Sequence, residues 1–582
     1  MSVEELLAKD FGAFPDLIRA HARERPEHPA LIEGDVTLTY RELAALMDRI
    51  ALALQRDGVG VGEAVAICAR ASITYAAAFC GVLAAGAAVA PLAPSSTTAS
   101  VTMMLGDCGA KILFLDRETG QALEGVGRAG RSKPVALDGS AAGEPLLSWL
   151  GPEDAKPASV EIRPDWPFNI IYSSGTTGAP KGIVQPHQMR WRQFTRASYR
   201  GATTLVSTPL YSNTTLVVFI PTLAHGGTAV LLPKFDAGEF LRLSAERHVT
   251  HAMLVPVQYR RIMERPDFGE YDLSSYLVKF STSAPFSAAL KADVLSRWPG
   301  GLVEYYGMTE GGGSTMLVAH EFPHKLHTVG QPMPGHDIRL IDEEGREVAQ
   351  GEIGEVVGSS GAIMTAYHNQ PEKTREAEWR DAERRRFIRT GDIGRFDEDG
   401  FLILLDRNKD IIISGGFNIY PSDIEAELTR HEDVVEAAVV GIPSERWGET
   451  PVGFVTLRNA ASVDGPALRE WVNARVGKTQ RLSELTILDS LPRSAIGKVL
   501  SANCAICRVS RRGPADGATS SRRGPSRNRK SARLEPRQVE VDGRSRLDAK
   551  VFATSGDPRA LRGWLCDLCH SPSAKSVLRV RR

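Results

Sequence analysis

The chain is predicted to be α/β, with doubly wound sheets in a large amino-terminal domain. Apolar strands and amphipathic helices alternate from Val65 onward, which is the pattern of βαβ units and a parallel sheet. At 582 residues the chain exceeds what one hydrophobic core supports, so more than one domain is expected. The apolar content of 42% is ample for such cores.

The elements follow in order. Residues 3–24 place apolar residues at helical spacing, and Thr37 to Leu43 runs from a short strand into a helix ending near Gly58. Val65–Cys68 reads as a strand, followed by a small-residue helix through Leu83 and a strand from Ala87 to Leu92. Residues 116–164 have weak periodicity and are expected to form a surface excursion. Phe168 to Tyr172 reads as a buried strand leading into Ser173-Ser174-Gly175-Thr176-Thr177-Gly178-Ala179-Pro180-Lys181. Hydroxyls, glycines with unhindered N–H groups and one lysine suit a loop that wraps a polyphosphate. It is not the Walker pattern, because Ala179-Pro180 separates Gly178 from Lys181.

Alternation then resumes with strands at Thr203–Ser207, Ala229–Leu232 and His251–Val255, and helices at Leu216–Ala224 and Phe240–Arg247. Lys279 to Pro285 reads as a strand entering a tight turn, and Val303 to Glu310 as a strand ending in a polar hook. In open parallel sheets ligands bind at the carboxyl ends of strands, where both segments deliver polar groups. Gly335 to Gly358 reads as a small β-rich, barrel-like subdomain. From Gly400 a charged hairpin, an apolar strand and Gly415-Gly416 lead to a helix at Ser422–Arg430, with Ser422 as cap and Glu425 three residues on. A βαβ pattern through Leu488 completes a small α+β domain.

These motifs, in this order, resemble the adenylate-forming superfamily of acyl-CoA synthetases and adenylation domains, over about Thr39 to Leu500. The resemblance implies ATP, Mg²⁺ and coenzyme A, with a carboxylic acid as substrate. It implies that Ser173 to Gly178 and Lys181 hold phosphates, and that Tyr306 stacks on adenine against Ser283, Ala284 and Pro285. Thr309 would meet the α-phosphate, Glu310 the metal, and Asp392 of Thr390-Gly391-Asp392 the ribose. A hard cation that bridges phosphates prefers a carboxylate oxygen, in agreement with Glu310. Arg407 would reach ribose or phosphate, Lys409 would be the hinge, Gly415 and Gly416 would line the thiol channel, and Lys498 would be the catalytic lysine. The implied domains are 1–405 and a mobile 406–500. Pro209-Leu-Tyr211-Ser212 has Ser212 where relatives carry histidine. The acceptor is coenzyme A or a carrier-protein phosphopantetheine, and the family position suggests a medium- to long-chain fatty acid or an aryl acid.

His320-Glu-Phe-Pro-His324 matches a zinc-protease pattern, but Pro323 would break the helix that pattern needs. Cys68, Cys80 and Cys108 read as buried thiols. Residues 501–582 hold 19 Lys and Arg against 7 Asp and Glu, leaving 51 against 63 in residues 1–500. That tail lacks periodicity and is read as disordered. Its abrupt arginine-rich departure from the family pattern reads as out-of-frame translation, with zinc, haem or nucleic-acid binding as competing readings. No run approaches a membrane span and the start lacks an apolar leader, so a cytoplasmic location is expected.

Overall fold

Two large mixed sheets, a smaller antiparallel one and a fourth in the carboxyl-terminal part make up the described fold. The computed structural model describes residues 1–124, 132–153, 155–173, 180–195, 199–407, 412–414, 417–444, 447–458, 461, 463–493 and 499, with backbone only at 406, 407, 417, 418, 448 and 479. All of these fall within one compact unit, Met1–Cys504.

The first sheet has nine strands. Its middle is parallel: Gly301–Tyr306, Val278–Ser281, His251–Leu254, Thr203–Val206, Thr228–Leu231 and Pro29–Glu33 lie side by side, with antiparallel strands at both edges. A core of Leu205, Ala252, Leu254, Tyr259, Trp298 and Leu302 covers one face. The second sheet has eight strands around Ala64–Cys68 and Ala88–Pro91. Helix Tyr40–Arg56 starts where Thr39 and Glu42 cap each other: Thr39 Oγ1 accepts from Glu42 N at 3.3 Å, and Glu42 Oε2 accepts from Thr39 N at 2.8 Å. Helix Ile73–Ala84 is buried all round, as its unbroken apolar sequence requires.

The expected excursion at 116–164 contributes two short strands to this sheet and two short helices, Arg117–Leu123 and Leu146–Trp149. Lys133–Ala136 and Glu144–Pro145 add two strands, and Trp149 is buried with its indole N–H donating to Asp57 at 2.7 Å. Strands of two to four residues are too short to show a period, so sequence pattern missed them. A second omission follows the phosphate loop: Lys181–Pro186 pairs antiparallel with Pro167–Ser173, and helix His187–Thr195 comes directly after. The two strands that flank residues 174–179 are therefore antiparallel partners, with Ser173 opposite Lys181.

The third sheet combines Asp337–Ile341, Gly354–Ser359, Arg386–Phe396, Glu378–Arg380 and Leu402–Arg407. A fourth, from Ile412 to Ile487, has its own core of Ile412, Ile424, Leu428, Val439, Val455 and Leu468. The expected Ser422–Glu425 cap is not what forms. Helix Pro421–Leu428 has Tyr420, not Ser422, at its cap position; Ser422 Oγ donates to the Leu405 carbonyl, and Glu425 Oε1 accepts from Val439 N at 2.7 Å. Both polar side chains tie the helix to neighbouring strands. His320–His324 is a turn leading to a short 3₁₀ segment, Pro323–Lys325, and no cluster of metal-binding side chains occurs among the described residues. Cys68, Cys80 and Cys108 are free and buried, and burial pushes their thiols up to about 12, 12 and 11.

Candidate active site

The polar hooks gather where the segment after strand Gly301–Tyr306 meets residues of the second and third sheets. Strand Gly301–Tyr306 ends in Gly307 to Gly313, which threads between the second and third sheets. Gly311 and Gly312 have φ of +73° and +86°. A Cβ on Gly311 would lie 2.2 Å from the Ala362 carbonyl, and one on Gly313 2.8 Å from Gly358 Cα. The three consecutive glycines thus answer a backbone squeeze that no side chain could enter.

This threading is pinned at several points. Met364 N donates to the Glu310 carbonyl at 2.8 Å, and Gly312 N to the Ala362 carbonyl at 2.9 Å. The Tyr367 hydroxyl donates to Glu310 Oε1 at 2.8 Å, while the Lys181 ammonium lies 5.1 Å from the centre of the Tyr367 ring. Burial, reinforced by the Glu310 charge, pushes the Tyr367 phenol well above its ordinary range, so it remains a donor. Lys181 and Glu310 therefore meet the same tyrosine, the lysine at the ring face and the carboxylate at the hydroxyl. The Tyr306 hydroxyl donates to Asp392 Oδ2 at 2.8 Å, and Asp392 is the register partner of Arg407. The Tyr306 ring packs against the core of Ile338, Leu340, Val356 and Leu402.

The turn after strand Val278–Ser281 carries Ser283 at φ +79°, a strained value for a side-chain-bearing residue. Its Oγ shares a 2.6 Å hydrogen bond with Thr214 Oγ1, which holds the turn against helix Asn213–Ala224. Ala284 is half-buried and Pro285 exposed beside it. Ser212, the residue that departs from the family pattern, caps that helix by accepting from Thr214 N at 3.3 Å. Tyr211 is half-buried, and burial raises its phenol above the ordinary value. Ser173 closes the hairpin opposite Lys181. Ser174, Gly175, Thr176, Thr177, Gly178, Lys409, Gly415, Gly416 and Lys498 lie outside the described residues, as do the Arg407 side chain and the cysteines of the tail.

Sequence reading missed a layer beneath the hook. Gln185 Nε2 donates to the Thr309 carbonyl at 2.5 Å. Its Oε1 accepts from Asn169 Nδ2 at 2.8 Å and from Arg190 Nη2. Arg190 also donates to Asn169 Oδ1 and to Gln193 Oε1, each at 3.0 Å. Asn169 and Gln185 are fully buried and Arg190 almost so. Burial pushes the guanidinium down to about 9. Only the buried arginine in helix His187–Thr195 could have hinted at this, and Tyr367 had no local signal.

The family model described as "AMP-binding enzyme" matches residues 18–368, and "AMP-binding enzyme C-terminal domain" matches residues 423–498. The chain belongs to the adenylate-forming, AMP-binding enzyme family. Within the family it is 31% identical over 504 residues to the fatty acid–[acyl-carrier-protein] ligase ScoC of Streptomyces coeruleorubidus, spanning 82% of this chain and 93% of that one. It is 33% identical over 490 residues to a feruloyl-CoA synthase from an Amycolatopsis species, spanning 82% and 96%. Among solved structures, ATP-bound MatB from Rhodopseudomonas palustris superposes with a TM-score of 0.74 at 26% identity, covering 84% of this chain and 98% of that one. The relatives are acyl-CoA and acyl-carrier-protein ligases, and no helix among the described residues is long and apolar enough to cross a membrane.

Proposed function

We propose that the chain activates a carboxylic acid with ATP and passes the acyl group to coenzyme A. A carboxylate resists acyl transfer because its leaving group would be oxide. Its oxygen attacks the α-phosphorus of ATP, the bond to the bridging oxygen breaks, and pyrophosphate leaves with the electron pair. The thiolate of coenzyme A then attacks the acyl carbon and AMP departs, giving a thioester.

The observation that carries this reading is the convergence of Lys181, Tyr367 and Glu310 beside the Tyr306–Asp392 pair. An ammonium and a carboxylate gathered at one tyrosine suit a phosphate chain and its counter-ion. The donor set also fits Mg²⁺: Tyr367 engages one oxygen of Glu310, and the other has no partner among the described residues. Mg²⁺ is commonly held by one or two carboxylates together with substrate phosphates. When bound it would offset the phosphate charge. In this reading Ser173 to Gly178 and Lys181 cradle the leaving pyrophosphate, Tyr306 packs on adenine against Ser283 to Pro285, and Asp392 and Arg407 take the ribose. Thr309 meets the α-phosphate and Lys498 stabilises the charge that develops in the transition state. Residues 406–500 move as a domain about Lys409, bringing Gly415 and Gly416 to the thiol.

The likeness to ScoC supports a second acceptor, a carrier-protein phosphopantetheine, and a cytoplasmic enzyme fits either. The test is a panel of fatty and aryl acids scored for pyrophosphate release, then for AMP and thioester with coenzyme A or a loaded carrier. Acid-dependent pyrophosphate release with thioester on coenzyme A is expected. No release with any acid would sink the reading, and thioester on the carrier alone would select the second acceptor.

A further inference from the structure

We infer that Gln185, held by Arg190 and Asn169, is a positioning residue that fixes the Thr309–Glu310 hook for adenylation. The inference rests on the functional reading above and adds residues to it.

Three features single out this cluster. The first is its connectivity. Asn169 and Gln185 face each other across the hairpin that carries the phosphate loop, and Arg190 returns to both from the helix that follows. Gln185 then reaches a carbonyl 124 residues away, on a strand end of the other large sheet. One amide therefore ties the hairpin bearing Lys181 to the hook bearing Glu310.

The second is polarity. Gln185 Oε1 is occupied by two donors, so its amide cannot turn over, and Nε2 must point at the Thr309 carbonyl. Arg190 determines that orientation. The third is charge. The partners of Arg190 are amide oxygens, and among the described residues none is a carboxylate. A buried cation without a counter-ion is costly, and replacing this network with apolar packing would avoid that cost. Its presence beneath a hook proposed to meet phosphates is what a positioning role requires. A merely structural brace would not need a buried cation whose partners among the described residues are amide oxygens and the Phe168 ring, 5.9 Å away.

Gln185→Glu separates the two roles. The carboxylate can pair with Arg190, so the melting temperature should hold or rise, whereas the donor to the Thr309 carbonyl becomes a repelling acceptor. A displacement of about 1 Å can cost on the order of a hundredfold. The expected result is a ten- to hundredfold fall in kcat for acid-dependent pyrophosphate release, with the KM for the acid little changed. Arg190→Lys should retain more activity than Arg190→Met. Hydrogen exchange should accelerate in a peptide spanning 307–313 in Gln185→Glu, and not in one spanning 64–84.

Wild-type kcat in Gln185→Glu would overturn the inference, as would a loss of activity that tracks a loss of melting temperature. Unchanged exchange at 307–313 would do so as well. If the wild-type protein releases no pyrophosphate with any acid, the functional reading fails, and the exchange experiment still decides whether Gln185 fixes the hook.

Discussion

The hook at 307–313 and the sheet at 412–487 are held in contrasting ways. The hook is fixed by backbone bonds to Ala362 and Met364, the Tyr367 hydroxyl and a buried amide–guanidinium network. The carboxyl-terminal sheet packs on its own core, and its side-chain ties to the larger body include Ser422 to Leu405 and one shared carboxylate. Arg260 donates to the Val435 carbonyl at 3.1 Å and to Glu436 Oε1 at 2.9 Å; Arg493 donates to the same Oε1 at 2.6 Å. Buried polar networks are stiff and costly to break, whereas part-exposed ion pairs exchange readily with water. On the proposed reading, the groups that meet phosphate sit on the stiffer of these two regions, and the segment bearing Lys498 belongs to a domain that moves. Arg493 and Val499 form an isolated bridge around the segment that contains Lys498.

The largest test of this contrast is Lys498→Ala. Removing one preorganised transition-state charge typically costs about 10²–10³-fold. Acid-dependent pyrophosphate release should fall by that much, while thioester formation from a synthetic acyl-adenylate stays within about threefold, because the rigid site is untouched. Equal loss in both half-reactions, or full adenylation, would remove Lys498 from the role and erase the division of labour.

A second test concerns the rigid body alone. Burial pushes His187 down to about 3 and His251 down to about 4, from an ordinary 6.5. Both are therefore neutral in the folded protein at pH values where the unfolded chain protonates them. Stability is fully present above about pH 6.5 and falls as pH drops from there toward 4, by an amount on the order of a few kcal/mol. Melting temperatures measured from pH 7 to 4.5 should decline in this window, and His251→Gln should flatten the slope. An unchanged slope in that variant would show that His251 does not contribute.

The residues proposed to meet the nucleotide were legible because each sits in a short contiguous motif that resembles the family's. Tyr306, Glu310 and Asp392 could be named from local sequence, and the fold brings them together. The glycines at 311–313 answer to no local pattern; their cause is a tertiary squeeze against Ala362 and Gly358. Tyr367, Gln185 and Arg190 act through contacts 57 and 124 residues distant or through burial, none of which leaves a periodic trace. Ser422 and Glu425 show the converse error. Their spacing satisfies a local capping rule, but stronger tertiary partners claimed both side chains. The short strands at 133–136 and 144–145 failed for length alone.

A third test acts on the Tyr367 hydroxyl. Tyr367→Phe keeps the ring beside Lys181 and deletes the donor to Glu310. A hydrogen bond to a charged group contributes about 1.5–3 kcal/mol, so kcat/KM for adenylation should fall at least tenfold while the melting temperature changes little. Wild-type kinetics would mean that Glu310 is oriented by something else.

The smallest expected effect lies at the contact between body and carboxyl-terminal sheet. Arg260 and Glu436 are about 30% and 20% exposed, and pairs of this kind contribute about 0–1 kcal/mol. Arg260→Ala should leave the overall melting temperature nearly unchanged. It should instead accelerate hydrogen exchange at 434–444, without touching 307–313, because the two regions share no side chain in this contact. Exchange that rises equally in both would show that the rigid site and the separable sheet are one cooperative unit, and the contrast between them would have to be abandoned.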